Sequence, residues 1–183
     1  MRLQPRSSFH AGFTLVEVLV ALFVVALGIA GAAGLQMLAV RAARDAARLA
    51  DGTRLAWSLG ERMRANGLAL SRPDDANPYL QLDYDAGGAP LTSVLCYADT
   101  SCDPDDLARF DLSDVSSAVA GAFPGGRIRV CRDATALDAT GLLAWACDGR
   151  AGAPVVMKIG WRAHGDTATG APKVMLPLAG AAP

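Results

Sequence analysis

From Val18 to Val40 the chain carries no charged residue and no proline. At about 1.5 Å per residue such a run makes a helix of about 35 Å, enough to cross a hydrocarbon core of about 30 Å. It limits the fold more than any other stretch, because a helix apolar on all sides must be covered by lipid or by other helices. A secretory signal peptide is the other common use of an apolar N-terminus. Its core is only about 7–15 residues long and ends at a small-residue cleavage site followed by soluble sequence. Here the run continues through Gly31–Gly34, small enough for such a site, into a charged helical pattern without a break.

The residue in front of the run is an acid, Glu17, and a plain anchor has no use for it. A carboxylate placed in a bilayer costs a few kcal/mol on insertion scales, so it calls for a partner or a function. Upstream lie a short basic leader with Arg2 and Arg6, then Gly12 before the aromatic Phe13. A cut after Gly12 would put a new amino terminus on Phe13, one helical turn from Glu17. The amine and carboxylate would partly neutralise each other within a chain, or pair between neighbouring chains. At about 4 Å and an effective dielectric of about 20 such a pair gains about 4 kcal/mol before desolvation is subtracted. A glutamate resting at headgroup depth is the plainer alternative.

Gly12-Phe13-Thr14-Leu15-Val16-Glu17 before an uninterrupted apolar helix resembles the class III signal of type IV prepilins and type II secretion pseudopilins. The resemblance implies that prepilin peptidase, a membrane aspartyl peptidase, cleaves after Gly12 and N-methylates Phe13, with Glu17 serving subunit assembly. Glycine before the cut lets an extended backbone enter a narrow active site without a side-chain clash.

Helical periodicity continues past the membrane run. Leu35, Leu38, Ala42, Ala46, Leu49, Ala56, Leu59 and Met63 recur mostly at three- and four-residue steps, and Asn66-Gly67 offers a left-handed stop. The pattern predicts one helix from about Phe13 to Asn66, its first half in lipid and its second packed on a domain. Gly28, Gly31 and Gly34 each weaken an exposed helix by roughly 1 kcal/mol relative to Ala. In a membrane they open a smooth face for close helix packing.

A Gly34-Leu35-Gln36 step leading to a helix that ends Arg62-Met63-Arg64-Ala65-Asn66 is similar to the PilV-type minor pilins, the type IV pilus modification proteins. That likeness covers residues 12–67 well and the remainder loosely. Pseudopilins of the GspI type share the opening Glu17-Val18-Leu19-Val20-Ala21-Leu22. They usually lack the Arg-Met-Arg-Ala-Asn ending and this set of cysteines. The resemblance implies an α+β, type IV pilin-like fold, a long N-terminal helix on a small antiparallel sheet. Its parts would be a cleaved leader (1–12), a transmembrane and assembly half of the helix (13–40), an amphipathic half (41–67) and a periplasmic domain (68–183). Implied partners are prepilin peptidase, other minor pilins, the major pilin and, in some systems, a tip adhesin. The expected location is the bacterial inner membrane, spanned once, and then the pilus fibre or its tip.

All four cysteines, Cys96, Cys102, Cys131 and Cys147, follow the apolar run. An even number without Cys-x-x-Cys spacing suits two disulfides in an oxidising compartment, with four reduced, buried thiols as the alternative. Of three connectivities, the local one (96–102, 131–147) is preferred. This places the C-terminal part outside the cytoplasm. The charges point the other way, because Arg41, Arg44, Arg48 and Arg54 after the span outnumber Arg2 and Arg6 before it.

The globular part begins with a Pro-, Asp- and Gly-rich connection over residues 71–90, in which Tyr79, Leu80, Leu82 and Tyr84 form a short strand or pack on the helix. Asp103-Pro104-Asp105-Asp106 reads as a helix start, with Leu107, Phe110, Val115, Ala118, Val119 and Ala122 as the apolar stripe and Pro124-Gly125-Gly126 as the stop. Strands are expected at Arg127–Arg132, Val155–Trp161 and Lys173–Leu178, with a loop over 133–153 in which Leu142–Cys147 pairs briefly.

The sequence offers little catalytic chemistry. Its histidines are His10, in the leader, and His164, in an expected turn, and no nucleophile motif accompanies either. The cysteine spacing does not make a zinc knuckle. Asp99, Asp103, Asp105 and Asp106 lack the glycine and terminal glutamate of a calcium loop. No phosphate-binding loop is present, and a net charge of −1 gives no electrostatic case for nucleic acid. The sequence therefore points to a structural subunit without cofactor or metal. A single-pass membrane protein with a periplasmic binding or catalytic domain is the alternative from another class.

Overall fold

The computed structural model describes residues 12–93, 95–97, 101–135, 137–163, 165–167 and 169–178. Residues 1–11 of the leader, His10 among them, and Asp99 and His164 lie outside them. The chain divides into two compact units, Met1–Asp45 and Ala46–Pro183.

Helix α1 spans Leu15–Ala65. In the first unit its side chains are exposed, among them Leu19, Phe23, Val24, Leu27 and Ile29. Its most apolar 18-residue window has a mean hydropathy of 2.6, so the helix is long and apolar enough to cross a membrane.

In the second unit, α1 contributes Gly52, Ala56, Leu59, Gly60 and Met63 to the core. The expected packing stripe is therefore only partly right. Ala46 and Leu49 are exposed, and burial starts at Gly52, where the sheet begins to meet the helix. A Cβ at Gly52 would stand 3.4 Å from both Ile159 and Val174, so glycine lets the helix backbone come close to the strands.

The stop at Asn66-Gly67 is not left-handed. Asn66 has φ −102° and ψ 57°, and a one-turn helix α2, Gly67–Leu70, follows directly. Asn66 bends the chain with its side chain engaged elsewhere, as described below. Asn77 caps a 3-10 turn, Pro78–Gln81, by accepting from the Tyr79 amide. Strand β1, Asp83–Asp85, comes next.

Helix α3, Pro104–Ala122, begins as expected, with the Asp103 carboxylate accepting from the Asp105 and Asp106 amides and proline in the first turn. Its buried face differs from the expected stripe: Ala108, Asp111, Leu112, Val115, Ser116 and Val119 are inside. Ala118 and Ala122 are exposed. The helix is turned so that Asp111, an acid that sequence would place in solvent, faces inward.

Strands β2 (Arg127–Arg132), β3 (Val155–Gly160) and β4 (Val174–Pro177) join β1 in one antiparallel sheet of order β1-β2-β3-β4. Of the two expectations for the tyrosine-containing connection, a short strand holds at Tyr84, as the three-residue β1 with an acid at each end, while Tyr79 packs in the core from a 3-10 turn. Trp161 lies just past β3 and is buried against Phe123, ring centroids 5.0 Å apart.

Every residue of β3 is buried. Side chains alternate between faces along a strand, so both faces of the sheet are covered at its centre. One face meets the helices through Ile128, Met157 and Ile159. The other carries Cys131 and Lys158 and lies under the connection between β2 and β3. Disulfides join Cys96 to Cys102 and Cys131 to Cys147, with Cα–Cα distances of 5.8 and 6.3 Å. The brief pairing expected over Leu142–Cys147 is a single bridge between Leu137 and Leu143. A long N-terminal helix followed by a small four-stranded antiparallel sheet is an α+β, type IV pilin-like architecture.

Candidate processing and assembly site

The segment singled out by sequence forms the start of α1. Gly12, Phe13 and Thr14 precede the helix, and Thr14 Oγ1 accepts from the Glu17 amide at 3.3 Å. That is the bond of an N-cap residue, and Thr14-x-x-Glu17 has the spacing of a capping box. The signal is present in the sequence itself, as Thr14 and Glu17 three residues apart before the apolar run. Thr14 therefore fixes where the helix starts, and Gly12 and Phe13 lie outside it. Phe13 is 81% exposed and Glu17 is exposed too.

Gly28, Gly31 and Gly34 have open space around them. A Cβ built at any of the three meets nothing within 4 Å. No contact among the described residues of this chain requires a glycine there.

The other end of α1 is anchored by a polar cluster that sequence reasoning missed. Asn66 Nδ2 donates to the Tyr79 hydroxyl at 3.2 Å and to the Pro104 carbonyl at 2.7 Å. Tyr79 donates in turn to Asp111 Oδ2 at 2.8 Å. Arg62 reaches Asp111 at 3.4 Å and Asp114 at 2.7 Å. Tyr79, Asn66 and Asp111 are buried. Arg62 and Asn66 are the first and last residues of the Arg-Met-Arg-Ala-Asn segment, so that segment ties the end of α1 to α3.

Electrostatics follow from this packing. Burial raises the Asp111 carboxyl above the usual carboxylate range, and the bonds from Tyr79 and Arg62 offset only part of that. Burial and the bond to Asp111 both push the Tyr79 hydroxyl up. For Arg62, burial acts downward, but Asp114 and Asp111 outweigh it and hold the guanidinium pKa above its ordinary value.

Among the described residues, no group of three or more His, Cys, Asp or Glu side chains is placed to hold a metal ion. A cleft of about 520 Å³ is lined by Asp85, Phe123, Arg162, Thr167 and Thr169 among others. Its Asp85 carboxylate accepts from the Gly87 amide at 2.8 Å, and the Thr169 hydroxyl donates to the Gly125 carbonyl. Both groups serve turns.

The prokaryotic N-terminal methylation motif matches residues 8–33. The chain carries a class III prepilin signal. It is a type IV pilin- or pseudopilin-like protein, and the motif implies processing by prepilin peptidase and assembly with other pilins. The match covers the signal and the first part of α1, and leaves the rest of the chain unassigned. No curated protein and no solved structure matches the chain.

Proposed function

We propose that this chain is a minor type IV pilin of the PilV type, which primes or supports assembly of the pilus fibre within a minor-pilin tip complex. The observation that carries the proposal is the methylation motif at residues 8–33 leading into a single helix that runs to Ala65. The leader 1–12 is removed, Phe13 becomes the methylated terminus, and residues 13–40 hold the subunit in the inner membrane before extraction. Residues 41–67 carry the helix into the periplasmic domain, 68–183. Two disulfides among the described residues fit an oxidising compartment.

Glu17 pairs with the amino terminus of a neighbouring subunit and sets the axial register of one helix against the next. Gly28, Gly31 and Gly34, which this chain does not need for its own packing, let neighbouring helices approach. Partners are other minor pilins, the major pilin and, in some systems, a tip adhesin. The role is structural, without catalysis or cofactor. The Arg62–Asn66 anchor supports the PilV-type assignment, because it gives that segment a defined duty at the helix end.

A minor pseudopilin of a type II secretion system is the second proposal, favoured by the same motif, which does not distinguish the two machines. Chromosomal Glu17→Ala tests the assembly role: the chain is expected to be cleaved normally while surface fibres fall in number. Normal fibres with normal minor-pilin association would refute that role. Deletion separates the machines. Lost fibres with intact protein secretion support the pilus, and the reverse supports the pseudopilus.

A further inference from the structure

On the sheet face away from the helices, two cations stand directly opposite each other, Arg129 on β2 and Lys158 on β3. Like charges facing across a strand pair are unfavourable unless each has its own acceptors. Lys158 is fully buried, and its ammonium donates to Asp133 Oδ2 at 2.5 Å, to the Ala144 carbonyl at 2.7 Å and to the Ala146 carbonyl at 2.5 Å. Arg129 donates to the Trp145 carbonyl at 3.1 Å and lies 3.6 Å from Asp83. Three consecutive carbonyls, those of Ala144, Trp145 and Ala146, are thus held by two cations on adjacent strands.

The next residue is Cys147, bonded to Cys131 on β2. Cys131 is two residues from Arg129 along β2 and so shares its face of the sheet. The Trp145 ring is seated by the same arrangement. Its indole N–H donates to the Gly170 carbonyl at 2.8 Å, and the Arg127 guanidinium sits 4.6 Å from the ring centroid. A Cβ on Gly160 would come within 2.9 Å of that ring.

We propose that Lys158 and Arg129 form a template that docks the segment Ala144–Ala146 on the sheet and so brings Cys147 to Cys131 for oxidation. The cations act as positioning residues, and the disulfide locks a loop they have already placed. In the closing step the two thiols give up two protons and two electrons to an external disulfide, which leaves as two thiols. A protein disulfide supplies that oxidant in the cell and glutathione disulfide supplies it in the assay. This proposal does not depend on the pilin assignment.

The test uses the full chain in detergent micelles, reduced and then equilibrated in fixed glutathione buffers, with both disulfides quantified by alkylation and peptide mass analysis. Lys158→Met is expected to lower the equilibrium preference for Cys131–Cys147 at least about tenfold, since removing one partner of a buried pair is costly. Arg129→Gln, on a half-buried side chain, is the milder variant and is expected to lower it about threefold, the loss of one net hydrogen bond. Cys96–Cys102 closes as in the wild type in both. In the reduced wild-type chain, the Gly149 amide, which donates to the Arg132 carbonyl, stays protected from hydrogen exchange. Three results would overturn the proposal: wild-type closure of Cys131–Cys147 in Arg129→Gln, equal loss of both disulfides in that variant, or loss of Gly149 protection on reduction alone.

Discussion

Tyr79→Phe isolates the anchor at the end of α1. The hydroxyl makes two bonds in a buried setting, donating to Asp111 at 2.8 Å and accepting from Asn66 at 3.2 Å. Asn66 keeps its bond to the Pro104 carbonyl, but among the described residues Asp111 keeps only Arg62, at 3.4 Å, too long to replace what is lost. A hydrogen bond to a charged group contributes about 1.5–3 kcal/mol, so a loss of about 2 kcal/mol is expected. In a chain of this size that lowers the melting temperature by about 4–8 °C. The assay is unfolding of the full chain in fixed detergent, followed by tryptophan fluorescence, because Trp161 lies in the core.

The pH dependence makes this prediction sharper. Asp111 has a folded pKa above its unfolded value, so its contribution is fully present below the unfolded pKa and is lost as pH rises through the folded one. Removing the donor raises the folded pKa further. The Tyr79→Phe and wild-type curves should therefore approach each other in acid and separate toward neutral pH. In an Asp111→Asn background the Tyr79→Phe cost should fall to about 1 kcal/mol, that of a neutral hydrogen bond. A cost below about 0.5 kcal/mol, typical of a surface change, or one independent of pH, would refute the reasoning.

Other outcomes follow from the second face of the sheet and from the helix end. Gly160→Ala should unseat Trp145 and cost about 1–3 kcal/mol through overpacking, with faster protease nicking between Asp133 and Cys147 as the readout. Burial acts to raise the Asp133 pKa, but the bonds from Lys158 and Thr135 outweigh it and hold it below the ordinary value. Its contribution is therefore present above the unfolded pKa and lost as pH falls through the folded one. Acid titration should lose this stabilisation in the wild type and show a smaller acid-dependent loss in Asp133→Asn. Asn66→Ala should cost about 1–3 kcal/mol in the same unfolding assay, because it leaves the part-buried Pro104 carbonyl and the buried Tyr79 hydroxyl each short of a donor.

The long helix was legible because an uncharged, proline-free run is an unambiguous signal, and the Asp103 cap and strand β2 were equally plain. Strand β1 was legible only as one of two options for Tyr84, since Asp83-Tyr84-Asp85 shows strand alternation over only three residues and gains its partner from residues 127–129. The buried face of α3 was misjudged because an apolar stripe cannot announce that an aspartate will be turned inward by a tyrosine 32 positions away. Lys158 was hidden for a similar reason. Between Met157 and Ile159 it reads as a solvent-facing strand residue, and only the segment carrying Ala144 and Ala146 makes it an interior one. At the N-terminus the residue types were evident, but Glu17 carries two signals at once, a charge at the head of an apolar run and the third residue of a helix capped by Thr14, and the first masks the second.

The central claim is that Gly12–Glu17 is a processing and assembly device at the head of a pilin helix. Mass analysis of the mature N-terminus, on protein extracted from membranes of the native host, tests it most directly. The account predicts a chain that begins at Phe13 with one methyl group on its amine. A chain that keeps Met1, or is cut elsewhere, such as within Gly31–Gly34, would contradict it.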